Sequence, residues 1–229
     1  MNHPGTHTSS YYAATVNEVT NFAPLRGAQQ ADVCVIGAGF TGISTALHLV
    51  ERGFKVHVVE ANKVGWGASG RNGGQLIGGI SGEQRIASHH GRDVEELFGE
   101  LRWTGHDIVR ERIETYGIQC DLKSGYLDVA IKKRHMRDIQ ADFERLQNTD
   151  FPYEVRILSR EETRDTIGTD AYIGALLNMR NGHLHPLNLC IGEANAAVSL
   201  GATIYEESPV LRIDKGARPQ VVTNDGVVS

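Results

Sequence analysis

An α/β protein with a parallel sheet near its start is expected from three observations. A short, nearly all-apolar run lies at Asp32–Ile36, a glycine-punctuated turn follows it directly, and an amphipathic segment then leads to a second apolar run ending at Glu60. A strand covered on both faces reads as a continuous apolar run, and parallel strands need a crossover between them, usually a helix.

Taken in order, residues 1–30 are polar and aperiodic, so they are expected to form an arm that packs on the body without entering its core. Asp32-Val33-Cys34-Val35-Ile36 is the first strand, covered on both faces, and Gly37 ends it. Ile43, Ala46, Leu47 and Val50 recur at three- and four-residue intervals, which marks a helix from Phe40 to Arg52 closed by Gly53. Phe54–Glu60 is the second strand. After a glycine-rich stretch, Val94, Leu97, Phe98, Leu101, Ile108, Val109, Ile113 and Tyr116 keep helical spacing up to Gly117.

The period then changes. Ile118, Cys120 and Leu122 alternate, as do Leu127, Val129 and Ile131, and Lys123-Ser124-Gly125 between them suggests a hairpin or strand pair. Met136, Ile139, Phe143 and Leu146 return to helical spacing. Ser159 with Glu162 predicts a capping box on a short helix. A strand over 172–177 is expected to end at an Asn181-Gly182 turn. Pro186 opens a helix that runs to Leu200 and stops at Gly201. Short strands follow at 202–205, 210–213 and 220–223. Asn224-Asp225-Gly226 reads as a hairpin turn with too few residues after it for a full returning strand, so an exposed sheet edge is expected near Val227 and Val228.

This order predicts two interleaved domains beyond the arm at 1–30. A nucleotide-binding domain takes 31–117 and 183–229, and a mixed α+β layer takes 118–182. Hydrophobic residues make up 40% and charged residues 22% of the chain, as in ordinary globular proteins. A net charge of −5, with dispersed Lys and Arg, disfavours nucleic acid as a partner. No run approaches the roughly 18 apolar residues of a membrane span, and no signal peptide is recognisable. Cys34, Cys120 and Cys190 are far apart and without metal-type spacing, which predicts reduced thiols and a cytoplasmic protein.

Gly37-Ala38-Gly39-Phe40-Thr41-Gly42 is a GxGxxG fingerprint in the context its chemistry requires, after a strand and opening a helix. Gly37 allows the tight turn, Gly39 lets backbone approach a pyrophosphate, and Gly42 lets the helix pack close to the strand, with free helix-start amides facing the anion. Glu60 lies 23 residues after Gly37, near the offset of about 20 expected of the acid that accepts ribose hydroxyls. Ala61 follows it into the same site. Gly65-Trp66-Gly67-Ala68-Ser69-Gly70-Arg71-Asn72-Gly73-Gly74-Gln75 then interleaves glycine with hydrogen-bond donors. A NAD enzyme would usually continue there into another crossover, whereas a flavin enzyme must pass its chain along the pyrophosphate and the ring. Gly73 supplies clearance, and Ser69, Arg71, Asn72 and Gln75 supply polar contacts.

On these residues the chain resembles the glycine oxidase and D-amino-acid oxidase superfamily of FAD-dependent amine oxidoreductases. It resembles in particular the γ-glutamylputrescine oxidases, through residues 7–14, 67–76 and 182–189. The resemblance implies a Rossmann-like FAD domain beside an incomplete substrate-side domain, with Val210 holding the adenine through its backbone. It extends over the whole chain but only about half the family's usual length. It also implies oxidation of a primary amine at the end of a glutamylated diamine by FAD and dioxygen, giving an aldehyde, ammonia and hydrogen peroxide. No catalytic base is assigned and the oligomeric state is left open. The alternatives are another amino-acid or N-methyl amine oxidoreductase of the superfamily, or a non-catalytic nucleotide-binding fragment. No metal site is expected from His183, His185 and Cys190. His185 reads as a structural histidine before the helix-opening proline, with a place facing the active site as the alternative.

Overall fold

The computed structural model describes residues 6–79, 82–148 and 151–229; residues 1–5 of the expected arm and 149–150 of the expected mixed layer lie outside the described residues. In chain order the elements are α1 (Tyr11–Ala14), β1 (Gly27–Gln29), β2 (Val33–Ile36), α2 (Phe40–Val50), β3 (Val56–Val59), a 3-10 turn (Ala68–Gly70) and β4 (Gln75–Leu76). Next come α3 (Glu83–His90), α4 (Arg92–Thr115), β5 (Lys123–Ala130), α5 (Lys133–Gln147), β6 (Val155–Leu158), α6 (Arg160–Ile167) and β7 (Gly174–His183). Then follow α7 (Pro186–Ser199), β8 (Thr203–Tyr205), β9 (Arg212–Asp214), β10 (Gln220–Val222) and β11 (Gly226–Val228). They form two compact interleaved units: Met1–Gly74 with Ile108–Cys120 and His185–Ser229, and Gln75–Asp107 with Asp121–Leu184. No helix among the described residues is long and apolar enough to cross a membrane.

The first unit is built on a parallel sheet in the order β2-β3-β8, with Val33 opposite Val56 and Val58 opposite Ile204. Central β3 is buried at every residue. The expectation that the first strand is covered on both faces is corrected: β2 is an edge strand among the described residues, and Ile36 is 48% exposed. Helix α2 turns Ile43, Ala46, Leu47 and Val50 into one core with Val56, Val58, Leu187 and Ile191. Each such fully buried aliphatic side chain contributes about 1.5–3 kcal/mol. The helix stops where the glycine predicts. Gly53 adopts φ +81, its N–H reaches the Val50 carbonyl at 2.9 Å, and the Phe54 N–H reaches Leu49 at 3.1 Å. This is the paired bonding of a Schellman end.

A second sheet of the first unit runs β1-β11-β10-β9 and corrects two expectations. A returning strand does form after Gly226. It lasts because the arm's β1 pairs with β11 in parallel, Ala28 opposite Val227, so Val227 and Val228 lie inside the sheet and not at its edge. The arm therefore does enter the core: Leu25 is 1% exposed and packs with Val59 and Val228. The strand expected at 210–213 is displaced to Arg212–Asp214, where Ile213 faces Val221.

In the second unit β7 is the common partner of β4, β5 and β6, all antiparallel. The expected Asn181-Gly182 turn is instead interior to β7. Gly182 is there because a Cβ would sit 2.2 Å from the Lys123 carbonyl oxygen of the neighbouring strand. The expected hairpin around Lys123-Ser124-Gly125 is likewise a single strand, β5. The register shifts between Ser124 and Tyr126, and Gly125 takes φ +106, so the glycine makes a bulge and not a turn. Helix α3 precedes α4 without having been anticipated. The capping box is present as read, with the Ser159 N–H donating to Glu162 at 2.8 Å and the Glu162 N–H donating to Ser159 Oγ at 3.2 Å.

Candidate functional site

The turn from β2 into α2 is shaped by what its glycines lack. Gly37 adopts φ +98, a left-handed conformation that an L side chain resists. A Cβ on Gly42 would stand 1.9 Å from the Gly37 carbonyl oxygen, so the helix approaches the strand only because Gly42 has none. Gly39 precedes α2 in an extended conformation and offers no side-chain cap. The first amides of a helix have no partner within it, and the helix dipole makes that end attractive to anions. Open space lies beside the turn, since nothing stands within 4 Å of where a Cβ on Gly37 or Gly67 would be. A cradle for an anionic group is thus present.

Two side chains brace it. Glu60, at the end of β3, accepts from the Ala38 N–H at 2.7 Å with one oxygen and from the Asn62 N–H at 2.8 Å with the other. Ser69 Oγ accepts from the Phe40 N–H at 2.9 Å and lies 2.8 Å from the position a Cβ on Gly39 would take. The glycine-rich stretch therefore folds back onto the start of α2. Part of its glycine content is structural: a Cβ on Gly70 would be 2.3 Å from the Gly65 carbonyl oxygen, and one on Gly65 would be 2.9 Å from Leu187 Cδ1.

Glu206, which sequence reasoning passed over, anchors this region. It is fully buried, yet it accepts from the Val64 N–H at 2.8 Å, the Phe22 N–H at 3.0 Å, Lys63 Nζ at 3.1 Å and the Thr20 hydroxyl. Burial opposes the Lys63 charge, but Glu206 and Glu207 hold its pKa above the usual lysine value. The neighbouring Ser208 N–H donates to the Glu60 carbonyl at 2.8 Å, and Ser208 Oγ accepts from the Leu25 N–H at 2.8 Å. One short segment after β8 thus fixes the arm, the end of β3 and residues 62–64 together. The only hint in the sequence is a glutamate pair directly after a strand, a pattern that ordinarily marks solvent.

A second buried charge lies behind α2. Arg112 donates to Glu193 Oε1 and to Ser44 Oγ, each at 2.9 Å, with both ionic side chains nearly inaccessible. Burial raises the Glu193 pKa against the pull of Arg112. Burial, followed by the Glu193 and Glu60 carboxylates, raises the pKa of the Cys190 thiol as well, leaving it an inert neighbour of the cradle. His185 caps α7: its Nδ1 accepts from the Asn188 N–H at 3.1 Å and its Nε2 lies 3.1 Å from Thr15 Oγ1. In a neutral ring that pattern puts the proton on Nε2.

Of the sequence-derived residues, Gly37, Gly39, Phe40, Gly42, Glu60 and Ser69 come together at the cradle. Thr41 and Ala61 are exposed beside Gly42 and Glu60 in the chain. Val210 packs against Val59 and Leu25. Arg71 and Asn72 are exposed and bond locally, Arg71 Nε to the Gly67 carbonyl at 3.1 Å and Asn72 Nδ2 to the Ser69 carbonyl at 2.9 Å. Gly73 is exposed next to Gly74, whose N–H donates to Asn72 Oδ1 at 2.8 Å. Gln75 belongs to the second unit, exposed on β4 opposite His183. That unit also holds Arg180, which bonds both Asp107 oxygens at 2.9 Å with its guanidinium 4.2 Å over the Trp103 ring. Among the described residues no group of three His, Cys, Asp or Glu side chains is placed to hold a metal ion.

Known proteins share this chain's sequence and fold. The family model DAO, FAD dependent oxidoreductase, matches residues 32–229. The chain is 41% identical over 227 residues to gamma-glutamylputrescine oxidoreductase of Escherichia coli (strain K12), covering 97% of this chain and 52% of that protein. It is 41% identical over 225 residues to a probable oxidoreductase, OrdL, of Haemophilus influenzae, with 97% and 52% covered. Among solved structures it is similar to glycine oxidase from Bacillus cereus, with TM-score 0.68 at 26% identity over 87% of this chain and 53% of that one. It is also similar to an L-amino acid deaminase from Proteus myxofaciens, with TM-score 0.71 at 25% identity over 93% and 46%. The chain spans about half the length of the curated relatives it matches. With a family model that matches residues 32–229 and so takes in the cradle, Glu60, Ser69 and the parallel sheet of the first unit, the chain belongs to the FAD-dependent oxidoreductase family.

Proposed function

We propose that this chain forms the FAD-binding part of an amine oxidase acting on the primary amine of a γ-glutamylputrescine-like substrate. The observation that carries the substrate reading is the 41% identity, over 97% of the chain, to a gamma-glutamylputrescine oxidoreductase. The cradle supports the cofactor reading. Pyrophosphate is held by the start of α2, at Gly37, Gly39, Phe40, Thr41 and Gly42, where the three glycines leave room for backbone approach and the helix end favours an anion. Glu60 receives the adenosine ribose hydroxyls. Each of its oxygens already accepts one amide and has a lone pair left for a hydroxyl, so the brace and the ligand contact coexist. Ala61 and the Val210 backbone flank the adenosine, and Ser69, Arg71, Asn72, Gly73 and Gln75 serve the phosphates and the flavin.

When bound, FAD supplies hydride acceptance from the carbon bearing the amine and reoxidation by dioxygen to hydrogen peroxide, the resulting imine hydrolysing to aldehyde and ammonia. The chain's own part is to bind and orient. The Ser69 hydroxyl ties the glycine-rich stretch to the helix start, and the Ser208 N–H, donating to the Glu60 carbonyl at 2.8 Å, fixes the backbone of Glu60 at the end of β3. No side chain is assigned to remove a proton. A cytoplasmic location accompanies this reading, in keeping with the free thiols of Cys34, Cys120 and Cys190.

The test is anaerobic bleaching of bound flavin, with peroxide release in air, across γ-glutamylputrescine, putrescine, glycine and sarcosine. The reading predicts a response to γ-glutamylputrescine above the others. A response confined to glycine or sarcosine would replace it with the amino-acid or N-methyl amine reading, and flavin binding without any bleaching would favour a non-catalytic nucleotide-binding role. Because the chain spans about half of its relatives' length, its turnover per bound flavin is expected to be far below that of the full-length E. coli relative. Comparable turnover would put the whole active site within these residues.

A further inference from the structure

The arm is attached to the first unit in two different ways. From Thr20 onward it is anchored deeply: Thr20 and Phe22 bond the buried Glu206 carboxylate, Leu25 enters the core, and β1 pairs with β11. Residues 6–15 are held more lightly. Helix α1 has no buried residue, and Tyr11 is largely exposed. His7 Nε2 and Thr8 Oγ1 are shut away from solvent without a hydrogen-bond partner among the described residues, which costs free energy and works against docking. What holds the segment is a short set of contacts. Trp66 Nε1 donates to the Thr6 carbonyl at 2.9 Å, the Tyr12 ring meets His185 edge-on with centroids 5.0 Å apart, and Thr15 Oγ1 lies 3.1 Å from His185 Nε2.

Both hydrogen bonds of the His185 ring require it to be neutral. The Thr15 hydroxyl donates to the Tyr11 carbonyl at 2.8 Å, so its oxygen is left to accept and Nε2 carries the proton. Nδ1 in turn accepts from the Asn188 N–H at 3.1 Å. A second proton would go to Nδ1 and set N–H against N–H at the start of α7, the helix end that disfavours a cation. A charged ring therefore cannot keep both its cap on α7 and its place beneath Tyr12 and Thr15. The titratable residues packed on it are Tyr12 from α1 and Cys120 after α4, whose carbonyl accepts from the His185 N–H at 2.7 Å. His7, on the segment itself, faces Lys63 and Glu206; burial lowers its pKa first of all, Glu206 opposing the shift and Lys63 adding to it. We infer that residues 6–15 form an acid-released strap: protonation of His185, with His7 alongside it, frees them from α7 and Trp66 while the arm from Thr20 on stays in place. The docked form binds fewer protons than the released one, so docking is complete above the ordinary histidine value of about 6.5 and is lost progressively as pH falls below it. The inference stands whether or not the chain is an amine oxidase.

Amide hydrogen exchange of the full 229-residue chain, corrected for the intrinsic pH dependence of exchange, reads the strap. Its reporters are the N–H groups of Ala13, Ala14 and Thr15, bonded to Ser10 Oγ, the Ser10 carbonyl and the Tyr11 carbonyl. A single helical turn does not persist undocked, so these amides are protected only while the strap is closed. Their protection is expected to fall by about thirtyfold between about pH 7.5 and about pH 5, the ratio for one group of ordinary value about 6.5 that only the released form can protonate. The amides of β3 should keep theirs. His185→Asn supplies an amide oxygen that caps the Asn188 N–H without titrating. Combined with His7→Gln, it is expected to hold the strap's protection within about threefold over the same range. Equal protection at both pH values in the parent chain overturns the inference, and so does a fall in the double variant that matches the parent's. A loss shared by β3 overturns it too, since the whole unit would then be opening in acid. Should the double variant fail to fold, the comparison of α1 with β3 in the parent chain decides alone.

Discussion

Substituting alanine for Gly42 tests whether the start of α2 is held against β2 by the absence of a side chain. The added Cβ would stand 1.9 Å from the Gly37 carbonyl oxygen, 1.5 Å inside the 3.4 Å at which ordinary contact begins, and 3.3 Å from Val35 Cγ1. The turn cannot simply move away. The Gly37 N–H is bonded to the Val59 carbonyl at 2.8 Å, and the Ala38 carbonyl accepts from the Gly65 N–H at 2.9 Å. The helix must therefore back off, carrying Ile43, Ala46, Leu47 and Val50 out of register with the core they share with β3. Forcing extra volume into a packed contact costs about 1–3 kcal/mol, and backbone against backbone belongs at the upper end. Alanine's better helix preference offsets about 1 kcal/mol of this. The net expectation is a loss of about 2 kcal/mol, about 30-fold in the folding equilibrium. Urea denaturation followed by far-ultraviolet circular dichroism reads it. Gly67→Ala is the control, since a Cβ there meets open space at φ −75 and should change stability by under about 0.5 kcal/mol. Equal midpoints and slopes for the two variants would refute the clearance argument.

Three further outcomes are expected. Glu206→Gln should destabilise the chain by about 3 kcal/mol, because a neutral amide leaves Lys63 without its buried partner and turns a donor toward the Val64 or Phe22 N–H; a change below about 0.5 kcal/mol, in the range of an ordinary surface substitution, would deny Glu206 its clamping role. Glu60→Ala should weaken FAD binding by about 1.5–3 kcal/mol, the scale of hydrogen bonds to a charged group, and an unchanged titration would remove Glu60 from the site. The Ser159 backbone and side-chain bonds, aided by Arg156, hold the Glu162 pKa below the usual glutamate value. A depressed pKa means that the charged form supports the fold: the contribution is complete above the ordinary glutamate pKa and fades as pH falls through the lowered one. NMR titration should place the Glu162 midpoint below the ordinary glutamate value, with amide protection at the start of α6 declining through the same range; a midpoint at or above that value would contradict the capping geometry.

What could be read in advance was local. The end of α2 at Gly53, the Ser159–Glu162 box and the opening of α7 at Pro186 follow from bonds between residues a few positions apart, and their residue types carry the signal. The cradle belongs to the same class, since Gly37, Gly39, Gly42 and Glu60 sit in one strand–helix–strand unit. The misread elements depend on partners far along the chain. Gly182 and Gly125 look like turn formers, yet one is a close approach of two strands and the other a bulge, and only the pairing of β5 with β7 distinguishes these. Val227 and Val228 look like the remnant of a hairpin because nothing near them reveals β1 as a neighbour. Glu206 and the Arg112–Glu193 pair were invisible for the same reason: burial of a charge is a tertiary fact, set by partners far along the chain.

The most direct measurement is a titration of the purified 229-residue chain with FAD, followed by flavin fluorescence, set beside Gly39→Val. The cradle requires backbone to meet the pyrophosphate at Gly39, where even a Cβ would come within 2.8 Å of Ser69 Oγ and a branched side chain would fill the space beside the helix start. Saturable binding by the parent chain and none by Gly39→Val, with circular dichroism showing most secondary structure retained in the variant, is the predicted result. Wild-type-like flavin content in Gly39→Val would contradict the role given to the Gly37–Gly42 turn.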